Sequence, residues 1–317
     1  MSKIELRKLV AGFACAALLA VTGPAAADSP PIRFAVGIDP AFTPMFLAKH
    51  EKMFDEAGLN VQLQQFTQSN EGLDSINAGL IDLVGAAEPG TLTRITRGDI
   101  RPLVIYEQSG KYIKLVVQSG ITDVSQIKKF GIIPGTSSEY VTHRLLDKFK
   151  IDPKSVELVN AGPPELPALL AGKSIDAYFV WEPWPSVGIK QGGKVLMTSA
   201  DVGYTYTMWL SANGAWLDKN RDAAKKVVAT LAKACAVVQE GVANGDLSRP
   251  VTANRALAKL PREQTESFLR DVECVVRDFT PEDLESYDQI AEFLHQAKMT
   301  PVKADYRKVM QFGFVKE

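Results

Sequence analysis

The chain has 317 residues, with 36 Lys and Arg against 37 Asp and Glu and a formal net charge of -1. That balance gives no electrostatic reason to expect nucleic acid or an anionic membrane as partner. A hydrophobic share of 46% excludes disordered, collagen-like and disulfide-rich scaffolds, and the length fits roughly two domains of about 100–200 residues each.

Residues 1–27 differ from the rest. Lys3, Arg7 and Lys8 make a basic start, 9–21 is an apolar run, Gly23-Pro24 breaks it, and Ala25-Ala26-Ala27 supplies small residues. The run is shorter than the ~20 residues that span a bilayer. This layout predicts a cleavable signal peptide over 1–27 and a soluble periplasmic product beginning at Asp28. Cys15 lies inside the apolar run, which argues against a lipoprotein anchor. Cys235 and Cys274 remain, both in segments read as helical, and the sequence leaves a disulfide and two free thiols equally open.

Strand and helix patterns then alternate. Strands are expected over 32–38, 61–66, 81–86 and 101–107, with helices over 46–57, 70–78 and 91–97 between them. A second set follows, with strands over 115–118, 130–134, 156–159, 175–181, 195–197 and 206–210 and helices over 138–149 and 166–171. Such alternation implies parallel sheets covered by helices. After Asp218 the pattern stays helical, through 223–241, 254–260, 262–272 and 283–296. With no low-complexity linker, the expected organisation is one lobe from 28–111 and 205–317 and a second from 112–204.

An internal similarity supports two lobes of like construction. Ala78-Gly79 leads to Asp82 and then Glu88-Pro89, while Ala171-Gly172 leads to Asp176 and then Glu182-Pro183. Ligands in open α/β sheets bind beyond the carboxyl ends of strands, so Glu88 and Glu182 are expected to approach one cleft from opposite sides.

Catalytic signatures are absent: there is no G-x-S-x-G, H-E-x-x-H, C-x-x-C or G-x-G-x-x-G. His50, His143 and His295 lack metal-ligand spacing, and Gly172-Lys173-Ser174 lacks the upstream glycine and strand of a P-loop. No cofactor or metal is expected. The turn Gly135-Thr136-Ser137-Ser138 follows a strand and opens a helix, where unpaired N–H groups attract anions. One hydroxyl suffices for capping, so Thr136, Ser137 and Ser138 together point to a ligand. Trp181 and Trp184 flank Glu182 just past a strand, a pattern that covers a ligand or faces a cation. Phe42, in the loop after the first strand, is placed to wall the same cleft, and Tyr204 and Tyr206 lie near the return crossing.

The order Phe46-Leu47-Ala48-Lys49, Phe54, Gly58-Leu59-Asn60-Val61, Ala78-Gly79, Asp82, Gly135-Thr136-Ser137-Ser138, Ala171-Gly172, Asp176-Ala177 and Trp181-Glu182-Pro183 resembles the nitrate/taurine/alkanesulfonate-type substrate-binding proteins of ABC importers, a family that includes thiamine-pyrimidine binders. The resemblance implies a periplasmic-binding-protein fold of type II, with two α/β lobes around a central cleft and a helical C-terminal region. It also implies a permease and an ATPase in the inner membrane as partners of a monomeric binding protein. Its cleft maps onto Phe42, Ser69, Asn70, Ala87, Glu88, Thr136, Ser137, Ser138, Trp181 and Glu182. The hydroxyl turn suits a sulfonate or carboxylate, and two carboxylates suit an ammonium. Together they favour a small organic acid or zwitterion, taurine for example, and disfavour bare nitrate by about 1–4 kcal/mol per carboxylate at ~4 Å. An aromatic acid, a thiamine pyrimidine, an enzyme on the same scaffold and a sensory role remain as alternatives.

Overall fold

The computed structural model describes residues 30–315; the signal peptide expected over 1–27 lies outside them. Among the described residues, no helix is long and apolar enough to cross a membrane.

The first strand, β1 (Ile32–Gly37), is buried almost throughout and leads through a short turn into α1 (Thr43–His50). The helix expected over 46–57 is in fact two, because Lys52 turns left-handed (φ 59°) before α2 (Met53–Glu56). Gly58 (φ 72°) then releases the chain into β2 (Val61–Phe66). Next come α3 (Ser69–Asn77), β3 (Leu83–Ala87), α4 (Glu88–Ile95) and β4 (Ile100–Ser109). The chain crosses to a second sheet through β5 (Lys114–Gln118), β6 (Lys129–Ile132), α5 (Ser137–Lys148) and β7 (Glu157–Asn160). It continues there through α6 (Leu166–Ala171), β8 (Ala177–Val180), α7 (Trp184–Lys190) and β9 (Gly193–Thr198). The return strand β10 (Tyr206–Asn213) rejoins the first sheet. The rest is α8 (Gly214–Asn244), α9 (Ser248–Ala258), α10 (Arg262–Asp271), β11 (Glu273–Arg277) and α11 (Pro281–Gln296).

The six-stranded sheet has the order β11-β4-β10-β3-β1-β2, and the five-stranded sheet β7-β6-β8-β5-β9. Both are mixed rather than parallel. β1 runs parallel to β2 and β3, and β6 parallel to β7 and β8, whereas β10 is antiparallel to β3 and β4 and β5 is antiparallel to β8 and β9. β5 and β10 are the strands by which the chain enters a sheet after each crossing, and each runs against its neighbours there. The parallel strands therefore direct the loops after β1, β3, β6 and β8 to the sides of one cleft.

The paired Ala-Gly and Asp motifs have matching structural roles. Asp82 accepts the backbone N–H of Arg33 at the start of β1 (2.8 Å), and Asp176 accepts those of Lys128 and Lys129 at the start of β6 (2.8 and 2.9 Å). Each carboxylate fastens the entry of a neighbouring parallel strand.

The expectation of uninterrupted helix after Asp218 fails at β11, which pairs antiparallel with β4. There Cys274 bonds to Cys235 of α8, with Cα atoms 5.1 Å apart. The sequence reading placed Cys274 in a helix; the strand brings it over the long helix instead. A cross-link closing a 39-residue separation restricts the unfolded chain, which stabilises the fold by about 2–4 kcal/mol. Reductant should therefore lower the urea midpoint of the wild-type protein by a corresponding amount and leave a C235S/C274S double variant unmoved. An equal response of the two proteins would remove the disulfide as a source of stability.

Candidate functional site

The cleft between the sheets holds a narrow cavity that opens to solvent. Asp39, Phe42, Gln68, Ser69, Asn70, Ala87 and Gly90 line it from the first sheet's side, and Thr136, Ser137 and Trp181 from the second's. Tyr112, Tyr206 and Met208, beside the two crossings, complete the wall.

Three helices begin at this wall. Gln68 precedes α3 and Ala87 precedes α4, and neither start carries a side-chain cap. Thr136 caps α5 by accepting from the Ser138 N–H at 3.1 Å. The three starts are neighbours: Asn70 Nδ2 donates to the Gly135 carbonyl at 3.5 Å, and a Cβ on Gly90 would meet Asn70 Oδ1 at 2.4 Å. Gly90 thus permits α4 and α3 to approach. The first turn of a helix has N–H groups without intrahelical partners and about half a positive charge. Among the described residues, Asp39 is the one charged residue in the cavity wall, and no lysine or arginine lines it.

Phe42, Ser69, Asn70, Ala87, Thr136, Ser137 and Trp181 were all expected in the cleft, and the structure brings them together around this cavity. The three hydroxyls divide their work. Thr136 also donates to the Ile133 carbonyl (2.7 Å), and Ser138 Oγ accepts from the Ile133 N–H (3.3 Å), so both serve the turn itself. Ser137 Oγ makes no hydrogen bond among the described residues and is the hydroxyl left facing the cavity.

Ser138, Glu88, Glu182, Trp184 and Tyr204 do not line the cavity, contrary to expectation. Glu182 is 3% exposed and turned into the second sheet, where Lys114 Nζ donates to it at 3.2 Å and the Ser186 N–H at 3.3 Å. Trp184 opens α7 and its carbonyl accepts from Tyr178, so its ring packs on the second sheet's apolar cluster. Glu88 accepts from the Tyr204 hydroxyl at 2.9 Å and from the Thr207 N–H at 3.3 Å. These pairings consume both carboxylates on which the argument against a bare anion rested.

Asp39, Tyr112, Tyr206 and Met208 were missed as site residues or given less weight. Tyr206 and Met208 share one face of β10, as alternation along a strand requires. Thr207 and Trp209 take the opposite face, where both bond to Tyr287. Tyr204 precedes the strand and follows the left-handed Gly203, so alternation does not place it with Tyr206. Asp39 stands just past the carboxyl end of β1, where the positional rule for open sheets would have found it. Among the described residues, no group of His, Cys, Asp or Glu is placed to hold a metal.

Two mixed α/β sheets flanking a cleft at strand ends define a periplasmic-binding-protein fold. Residues 26–249 match the family model described as NMT1-like, and the chain belongs to that family. A protein of Escherichia coli K12 named for aliphatic sulfonate binding is 25% identical over 311 residues, covering 93% of this chain and 94% of its own. The crystal structure of the periplasmic aliphatic sulphonate binding protein SsuA from Escherichia coli superimposes with a TM-score of 0.79 at 20% identity, over 91% of this chain and 94% of that one. The periplasmic nitrate-binding protein NrtA from Synechocystis PCC 6803 gives 0.70 at 15% identity, over 90% and 86%.

Burial raises the Glu88 carboxyl from 4.5 to about 8, against hydrogen bonds that pull it down. The folded chain then binds more protons at this site than the unfolded one between those two values. Its contribution to stability is full below pH 4.5 and is lost as pH rises toward 8. Glu88→Gln, which keeps an acceptor for Tyr204 and cannot ionise, should therefore gain on the wild type as pH rises through that window. Urea midpoints of both proteins at several pH values check this; a constant difference would mean Glu88 does not titrate there.

Proposed function

We propose that the chain is the periplasmic solute-binding component of an ABC importer, exported by the signal at 1–27. It captures a small organic acid or zwitterion of the sulfonate class between lobes formed by 28–111 with 205–317 and by 112–204. The observation that carries this reading is the meeting of three helix N-termini at one cavity with no basic side chain in its wall among the described residues. Amide N–H groups and helix dipoles are sufficient to hold an anion, and a sulfonate offers three oxygens to several of them at once. Ser69, Asn70, Ala87, Thr136 and Ser137 belong to the anion end, and Phe42 and Trp181 cover the organic part. The names of the Escherichia coli relatives support the same class of ligand.

The bound solute leaves unchanged. The cavity wall contains neither histidine nor cysteine among the described residues, which favours capture over conversion. The protein acts as a monomer that delivers its ligand to a membrane permease driven by an ATPase.

A panel of ethanesulfonate, 2-aminoethanesulfonate, nitrate, benzoate and a pyrimidine tests this by thermal shift and calorimetry. A sulfonate should bind one per chain, stabilise by about 2.7 kcal/mol at 100 times its Kd, and be recovered intact by NMR. Ser137→Ala should weaken it roughly tenfold, the loss of one hydrogen bond to a charged group. A best response from benzoate or the pyrimidine, or chemical conversion of the bound compound, would overturn the reading.

A further inference from the structure

We infer that the ligand carries a cationic amine as well as its anionic head, and that Asp39 is the residue that selects for it. This deepens the sulfonate reading and rests on it. Asp39 is 7% exposed and lines the cavity. Both donors to it, the Ala41 N–H and the Tyr112 hydroxyl, reach the same oxygen, Oδ1, each at 2.9 Å. Oδ2 accepts no hydrogen bond among the described residues, and no basic side chain there pairs with the carboxylate.

Capping does not account for this arrangement. Asp39 caps the turn Pro40–Phe42 through Oδ1, a task a serine or asparagine performs equally well. A second oxygen that accepts nothing from the described residues, in a cavity read as holding an anion, repels a bare anion placed beside it. At ~4 Å that repulsion is about 1–4 kcal/mol for effective dielectric constants of 80–20. An ammonium reverses its sign. The aromatic rings around the acid fit the same cation: Phe42, Tyr112, Tyr206 and Trp181 line the cavity with Asp39, and Tyr112 and Tyr206 lie with ring centroids 5.1 Å apart. Aromatic faces attract ammonium groups. The ligand chemistry that meets both demands is an amino-sulfonate whose two charges are separated by a short carbon chain.

Burial raises the Asp39 carboxyl to about 6, against the bonds from Ala41 and Tyr112 that lower it. The titratable groups that feel its charge are Tyr106, Glu107, Tyr112 and Tyr206. Burial pushes all four well above their ordinary values, which favours their neutral forms, and Asp39 is the acid among them that lines the cavity. Affinity for the amine-bearing ligand should then be level above about pH 7 and fall as pH drops through 6, while affinity for a sulfonate without the amine rises over the same range.

The experiment is calorimetry of the full mature chain with 2-aminoethanesulfonate and ethanesulfonate, at pH 8 and pH 5, for the wild type, Asp39→Asn and Tyr112→Phe. The wild type should prefer the amine by tenfold or more at pH 8 and lose most of that preference at pH 5. Asp39→Asn keeps the cap; it should bind the two compounds within about threefold of each other at both pH values. Tyr112→Phe keeps the carboxylate but removes a donor, so it should retain the preference with its pH midpoint moved upward. Circular dichroism and the urea midpoint identify a variant that has failed to fold, in which case the wild-type pH dependence decides. Equal binding of both compounds by the wild type, or an amine preference that survives Asp39→Asn, overturns the inference and leaves the sulfonate reading intact. Binding of neither compound by the wild type overturns both.

Discussion

The chain passes between its two sheets twice, and the two passages are hydrogen-bonded to each other. Ala200 N–H donates to the Gly110 carbonyl and Ser199 N–H to that of Ile113, each at 2.9 Å. The approach is close enough that a Cβ on Gly110 would stand 2.9 Å from that of Ala200. This double tie sets how the strand ends of one sheet face those of the other, and hence which loops share the cleft. Further contacts reinforce it away from the crossings. Lys114 lies 3.1 Å from Asp271 of α10 while also holding Glu182, and Tyr140 of α5 packs edge-on against both Tyr204 and Phe293 of α11. The wall residue Trp181 is adjacent to Glu182, so its place in the cavity is coupled through Lys114 to a helix packed with the first sheet.

Much of this was legible from pattern alone. Strand and helix periods located most elements, and the positional rule for strand ends, together with the family resemblance, found the Phe42, Ser69-Asn70, Ala87 and Thr136-Ser137 segments of the wall. What remained hidden depended on contacts between distant parts of the chain. The motif Glu-Pro repeats, but whether its carboxylate faces a cleft depends on what stands behind it: Lys114 for Glu182, Tyr204 and Thr207 for Glu88. β11 has few residues and follows a helical run, so its strand character comes from pairing with β4 and its link to α8, not from local period. Asp39 stands before a proline in a turn, and nothing local to it shows that Tyr112, far along the chain, donates to its carboxylate.

The buried acids around the cleft differ in how their charge is met, and the difference separates structure from recognition. Removing a carboxylate from water costs several kcal/mol unless it is paired, hydrogen-bonded or protonated. Glu182 is paired with a lysine. Glu88 has hydroxyl and amide donors and is held high enough to be largely protonated at neutral pH, which suits an acid that fastens the return strand. Glu107 has no base and an oxygen without a partner among the described residues, and burial pushes its carboxyl well above the usual carboxylate range, toward the neutral form. Asp39 fits none of these solutions. Its carboxyl is raised only to about 6, and its donors occupy one oxygen. Among the described residues it is the buried acid at the cleft that is raised only to about 6 and has no basic partner, and it is also the acid that lines the cavity. The fold meets the charge of its other cleft acids and leaves this one in the cavity wall without a basic partner among the described residues, in the same wall as helix starts whose amide donors attract negative charge. A solute with a single negative charge would meet that carboxylate at a cost, and this is the physical ground on which the inferred ligand with charges of both signs rests.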